Sequence, residues 1–148
     1  MYKKILVPLD QEAGAEVALP VAADLAKSDG TVIRLMYVAP TPSAIVAEGR
    51  GIAYADQESD RLQHLGMVYL REAAHQLAGL PVEYAVRFGE PAEEILEEAR
   101  EFGADLVVMA THGRSGVVRL MLGSVAEAVL RRSEVPVVLV RHGLPAAA

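Results

Sequence analysis

The chain contains no cysteine. Disulfides, cysteine-ligated zinc and thiol catalysis are therefore excluded, and the composition fits a reducing compartment. Tryptophan is also absent, and aromatic residues make up 5%, too few for a platform on which nucleobases stack. Basic residues are in deficit: 14 Lys and Arg against 20 Asp and Glu give a formal net charge of −6. The basic runs are pairs such as Lys3-Lys4 and Arg131-Arg132. A duplex-binding surface needs a basic field to replace counterions, so nucleic acid is not an expected partner. No apolar run has the length of a membrane span, and the start, Met1-Tyr-Lys-Lys-Ile-Leu-Val-Pro8, lacks the long apolar stretch of a secretory leader. The expected setting is the cytoplasm.

What is present is apolar side chain. Hydrophobic residues are 52% of 148, which argues against disorder. A chain of this length buries about 68–70% of its unfolded surface, enough for a core without staples. One domain over residues 1–142 is expected, with 143–148 as a frayed tail.

Short apolar runs alternate with helical patterns. Lys4–Pro8 reads as the first strand. In Ala13–Lys27, Val17, Val21 and Leu25 recur at helical spacing beside Ala18 and Ala22. Thr31–Val38 is the second strand, stopped by Pro40-Thr-Pro42. Residues 40–55 hold no firm period and read as a long loop. From Asp56 to Ala78 the period is helical through Leu62, Leu65, Tyr69, Ala73 and Leu77. Pro81–Phe88 is the third strand. Pro91 opens a helix whose buried stripe is Ala92, Ile95, Ala99 and Phe102, and Gly103 closes it. Asp105–Met109 and Val135–Val140 are the fourth and fifth strands. This alternation predicts a parallel α/β sheet with helices on both faces. The third strand alternates apolar and polar residues, as an edge strand does, whereas the first, fourth and fifth are almost wholly apolar. A fifth strand at the other edge needs cover, so a homodimer through Val135–Val140 is expected.

The chemistry concentrates after the fourth strand, in Ala110-Thr-His-Gly113-Arg-Ser-Gly116-Val-Val-Arg-Leu-Met-Leu-Gly123-Ser124. A glycine-bearing loop leading into a helix at Val125–Leu130 suits a phosphate. Glycine lets backbone N–H groups approach an anion, and the helix start adds unpaired donors. There is no G-x4-G-K-[ST] and no G-x-S-x-G followed by an acid–histidine pair, so machinery for fast phosphoryl or acyl transfer is not visible.

These residues, with Asp105-Leu-Val-Val-Met-Ala110, Leu122-Gly-Ser-Val-Ala-Glu127, Pro136-Val-Val-Leu-Val140 and the opening Lys3-Lys-Ile-Leu-Val-Pro-Leu-Asp10, resemble the universal stress protein family over about Tyr2 to Arg141. The resemblance implies an open five-stranded parallel sheet in the order 3-2-1-4-5, a Rossmann-like fold of the adenine nucleotide α-hydrolase type, dimeric through strand five. The family's ATP-binding branch carries G-x2-G-x9-G-[S/T]; here the pattern is Ala110-x2-Gly113-x9-Gly123-Ser124, with alanine at the first glycine. The resemblance further implies that Pro8, Leu9 and Asp10 border the adenosine, with Asp10 near the ribose. Val38 would offer backbone groups to adenine. Met109, Ala110 and Gly113 would line the loop, and Gly123, Ser124, Val125 and Ala126 would receive the phosphates. Arg114 is added as a phosphate partner by charge.

Plainer roles stand beside these. Ser124 with Glu127 forms a capping-box pattern, and Asp10 suits a cap on the first helix. His112 reads as a loop histidine and Arg119 as surface charge. Glu93, Glu94, Glu97 and Glu98 read as a solvated helix face. His64, His75, His112 and His142 have no metal-ligand spacing, so no metal site is expected. The expectation is a dimeric, stress-responsive sensor or regulator that binds ATP, with AMP, a cyclic nucleotide and accompanying Mg²⁺ as further candidates. A ligand-free interaction module, favoured by Ala110 and Glu12, and a slow ATP hydrolase are the alternatives.

Overall fold

The computed structural model describes residues 2–27, 30–42, 51–111 and 122–141. Strand β1 (Lys4–Leu9) leads through a 3₁₀ turn (Ala13–Val17) into helix α1 (Ala18–Leu25). Strand β2 (Val32–Ala39), helix α2 (Gly51–Ala73) and a second 3₁₀ turn (Ala74–Leu77) follow. The chain continues as β3 (Val82–Phe88), α3 (Pro91–Phe102), β4 (Leu106–Ala110), α4 (Ser124–Arg132) and β5 (Val137–Val140). The five strands form one sheet in the order β3-β2-β1-β4-β5, and every pairing is parallel. The expected architecture and both expected edges are present.

Successive residues of a strand point to opposite faces, and the sheet uses that period to build two cores. Ile5, Val7, Leu35, Leu106 and Val108 pack with Leu19 of α1 and Leu70 of α2 on one face. Leu6, Met36, Val107 and Met109 pack with Ile95 and Phe102 of α3 and Val129 of α4 on the other. The central strands are buried almost end to end, β1 from Ile5 onward and β4 throughout, which is why they read as continuous apolar runs. The result is three layers, helix on sheet on helix.

Several boundaries differ from the sequence reading. The first helix is broken: Ala13–Val17 is 3₁₀ and only Ala18–Leu25 is α-helical. Helix α2 starts at Gly51, inside the stretch expected to be loop. The fifth strand is shorter than expected, starting at Val137.

The acidic face of α3 is the larger correction. Glu98 is 5% exposed and sits between two guanidinium groups, 2.5 Å from Arg34 of β2 and 2.9 Å from Arg87 of β3. Arg34 also meets Glu83 at 2.6 Å, and its guanidinium lies 4.0 Å from the centre of the Phe102 ring. Arg87 reaches Glu94 at 2.7 Å. The pairing Arg34↔Glu83 places those two charges beside one another across the β2–β3 ladder, and Arg87 lies four positions further along β3, opposite Val38. An ion network through Glu94 and Glu98 therefore locks α3 onto the sheet edge, while Glu93 and Glu97 keep the solvated character expected of that face.

Candidate functional site

The two helices on the second face begin in opposite ways. A helix start leaves its first N–H groups without intrahelical partners. At α3 the Glu90 carboxylate accepts from Ala92 N at 2.8 Å and Glu93 N at 3.3 Å, and Pro91 has no N–H to satisfy. That start is closed. At α4 the N-cap is Gly123, which makes no side-chain capping bond. Its own N–H donates to Thr111 O at 2.9 Å, and its carbonyl accepts from Glu127 N at 2.9 Å. The N–H groups of Ser124, Val125 and Ala126 are the first-turn donors that such a cap would have served. Ser124 is thus the first helical residue and not the cap, which corrects the capping-box reading by one position.

These donors face a cavity of about 390 Å³, inside the range of about 300–1,000 Å³ taken by small-molecule sites. It opens at the C-terminal ends of β1, β2 and β4. The order of the sheet reverses direction between β1 and β4, and ligands of open parallel sheets bind at such a switch point. Pro8, Leu9, Asp10, Val38, Met109, Ala110, Gly123, Ser124, Val125 and Ala126 all line it. The expected site residues Gly113 and Arg114, with His112 and Arg119, lie outside the described residues. The sequence reading missed Ala15, Pro91, Ile95 and Thr111, which also line the cavity. Pro91 and Ile95 were legible: α3 connects β3 to β4 and must cross the face of the intervening strands, so its first turn passes over this crevice.

Ala110 is the last residue of β4, paired with Val140, and not part of the turn beyond. Among the described residues only Gln11 combines a positive φ with a side chain, so alanine at 110 meets no backbone strain. Thr111 closes the strand end, its N–H donating to Val140 O at 2.9 Å.

Ladder parity decides what Val38 offers. Val32 N donates to Lys3 O on the β1 side, while Ile33 N donates to Pro81 O on the β3 side. Even-numbered residues of β2 therefore turn their backbone groups toward β1. Strand β1 ends at Leu9, opposite Tyr37, so the Val38 carbonyl looks past the end of its partner strand toward the cavity.

Asp10 follows β1 directly. Its Oδ1 accepts from Glu12 N at 2.9 Å, a local turn and not a helix cap; the residue before the 3₁₀ turn is Glu12, without a capping bond. Partial burial raises the Asp10 pKa above the ordinary carboxylate value, and the neighbouring Glu12 charge adds to the rise, against the lowering effect of that hydrogen bond. Burial also raises the Tyr37 phenol, with the Asp10 charge contributing. Among the described residues no cluster of three or more His, Asp or Glu can hold a metal ion, and no helix is long and apolar enough to cross a membrane.

The architecture is a parallel α/β sheet with a glycine-capped helix start at its switch-point cavity. The profile of the universal stress protein family matches residues 1–141, and the chain belongs to that family. It is 32% identical to universal stress protein YxiE of Bacillus subtilis over 148 aligned positions, covering 95% of this chain and 100% of that protein. It superimposes on the solved structure of MJ0577, with a TM-score of 0.83 at 27% identity, covering 98% of this chain and 99% of that one. MJ0577 is a universal stress protein of Methanocaldococcus jannaschii. A universal stress protein solved in complex with cAMP aligns with a TM-score of 0.66 at 26% identity, over 95% of this chain and 97% of that one.

Proposed function

We propose that this chain binds an adenine nucleotide, ATP foremost, in the switch-point cavity and acts through occupancy as a stress-response sensor or regulator. The observation that carries the reading is the contrast between the helix starts: α3 is closed by Glu90, whereas α4 presents its first-turn N–H groups to the cavity without a side-chain cap. In this reading Gly123, Ser124, Val125 and Ala126 receive the phosphates, joined by Gly113 and Arg114. Pro8, Val38, Ile95 and Met109 enclose the base, and the Val38 carbonyl accepts from an exocyclic amine. That acceptor suits adenine and opposes the carbonyl that guanine carries at the same position. The relative solved with cAMP supports an adenine nucleotide as the class, with AMP and cyclic nucleotides as competing ligands and Mg²⁺ accompanying the phosphates of ATP.

The affinity arises mainly from several backbone bonds and burial of the base, because the helix dipole contributes only about 0.3–1 kcal/mol. A dissociation constant near micromolar, about −8 kcal/mol, is expected. Mass spectrometry of freshly purified, denatured protein is expected to release ATP or AMP, and calorimetry to show ATP binding. Absence of both retained nucleotide and heat of binding defeats the reading in favour of a ligand-free interaction module. We place the protein in the cytoplasm as a homodimer through the open edge of β5.

A further inference from the structure

The Tyr69 hydroxyl on α2 is buried and has no hydrogen-bond partner among the described residues. Its ring meets Tyr37 of β2 edge-on, with centroids 6.0 Å apart and planes at 74°. Helix α2 is seated closely on the sheet one turn earlier, where a Cβ on Gly66 would stand 3.0 Å from both Tyr37 Cδ2 and Val86 Cγ2. Above the hydroxyl runs the turn that carries Asp10 into the cavity. Its next residue, Gln11, holds a left-handed backbone at φ 69°. The Gln11 N–H bears on the phenol oxygen closely enough to favour the ionised phenol, although burial dominates and raises the phenol well above the ordinary tyrosine value; the pair makes no hydrogen bond. A buried hydroxyl left unbonded is a standing cost.

We infer that Tyr69 is a positioning residue for nucleotide binding: its hydroxyl takes up the Gln11 N–H when ligand engages Asp10. The inference rests on the adenine-nucleotide reading. An acceptor-only carboxylate repels phosphate and pairs with hydroxyl donors, so on a nucleotide its counterpart is the ribose. Engaging that ribose settles the Asp10–Gln11 turn, and the settled turn gives Tyr69 its bond. The hydroxyl is then a burden to the empty protein and an asset to the filled one. This is differential interaction with two states, the condition for any ligand-linked effect.

The test compares the full chain with Tyr69→Phe, titrated calorimetrically with ATP and with 2′,3′-dideoxy-ATP, which lacks both ribose hydroxyls. Thermal unfolding of both proteins is followed without ligand. Tyr69→Phe is expected to weaken ATP about three- to tenfold, the worth of one hydrogen bond. Dideoxy-ATP affinity is expected to be the same in both proteins, and the ligand-free melting temperature equal or higher in the variant. In an Asp10→Asn background the Tyr69→Phe change should add nothing. Unchanged ATP affinity overturns the inference. So does an equal loss for both nucleotides, or a lowered melting temperature, because either marks a structural hydroxyl. A wild-type protein that binds neither nucleotide overturns the adenine-nucleotide reading itself, a result distinct from all of these.

Discussion

Proline at position 124 isolates what the α4 start contributes to binding. Ser124 is the first helical residue and follows Gly123 at φ −62°, ψ 154°, an extended conformation that the residue before a proline requires. Proline is welcome at this helix position, as Pro91 shows in α3. Ser124→Pro therefore deletes one backbone donor and one hydroxyl without disturbing the ladder of α4, whose first intrahelical bond runs from Glu127 N to Gly123 O. A hydrogen bond to a charged group contributes about 1.5–3 kcal/mol, and about 1.4 kcal/mol is tenfold in affinity. The variant should bind ATP about ten- to hundredfold more weakly. Ser124→Ala, which keeps the N–H, should lose only the hydroxyl's share, about 0.5–1.5 kcal/mol. Adenosine carries no phosphate, and its affinity should be alike in all three proteins. Stability should hold or rise by about 0.4–1 kcal/mol, because proline restricts the unfolded chain. Calorimetry with ATP and adenosine, beside urea unfolding, reads all of this. Ser124→Pro that binds ATP as the wild type does, or that weakens adenosine equally, refutes phosphate at the α4 start.

Glu98→Gln removes the anion between Arg34 and Arg87 and should cost about 1–3 kcal/mol in urea unfolding, leaving ATP affinity unchanged because the network lies away from the cavity lining. Gly103 ends α3 at φ 75°; Gly103→Ala should cost about 1–2 kcal/mol by forcing a side chain into the left-handed region. The Asp10 pKa is raised by burial, so the folded chain holds that proton more tightly than the unfolded one. Its contribution to stability is full below the unfolded pKa and disappears as pH rises through the folded pKa. Asp10→Asn, which keeps the acceptor for Glu12 N but cannot ionise, should melt higher than wild type near neutrality and show no such gain in acid below the carboxylate range. At β5, Val107 N donates to Pro136 O and Thr111 N to Val140 O, so Val137 and Leu139 turn their backbone groups to the open edge. Leu139→Pro should deny that edge a donor while keeping the β4 ladder, and light scattering should find a monomer where wild type gives a dimer.

The parallel α/β class and the sheet edges were legible because burial writes itself into composition, while the full strand order came with the family resemblance. Strands covered on both faces carry apolar residues at every position, as residues 5–9 and Leu106–Ala110 do, whereas β3 at one edge alternates; β5 is apolar although it lies at the other edge, which is why a covering partner was expected there. The cavity lining at Pro8 to Asp10 and Met109 to Ala110 came with the family resemblance, and it falls where strands end. The illegible features are non-local or lie near a balance point. Nothing near Glu98 in sequence announces Arg34 and Arg87, which arrive from other strands of the sheet. Gly51 to Ala55 has no polar–apolar contrast to mark a helix, yet α2 begins there.

The position of the α4 cap was misread by one residue, and that residue carries the chemistry. A serine cap at 124 would satisfy a first-turn N–H with its own oxygen, as Glu90 satisfies two at α3, and the cavity would face a closed helix end. With glycine as the cap, no side chain among the described residues serves those donors. Glycine stabilises a helix start almost as well as serine, with only a few tenths of a kcal/mol between them, so keeping the donors available costs the fold little. The same choice of cap leaves a hydroxyl at the first helical position, Ser124. Two helices that begin side by side on one face of the sheet thus divide the work. One closes itself with a carboxylate and holds the sheet edge through Glu98, and the other, on the nucleotide reading proposed above, receives the anion.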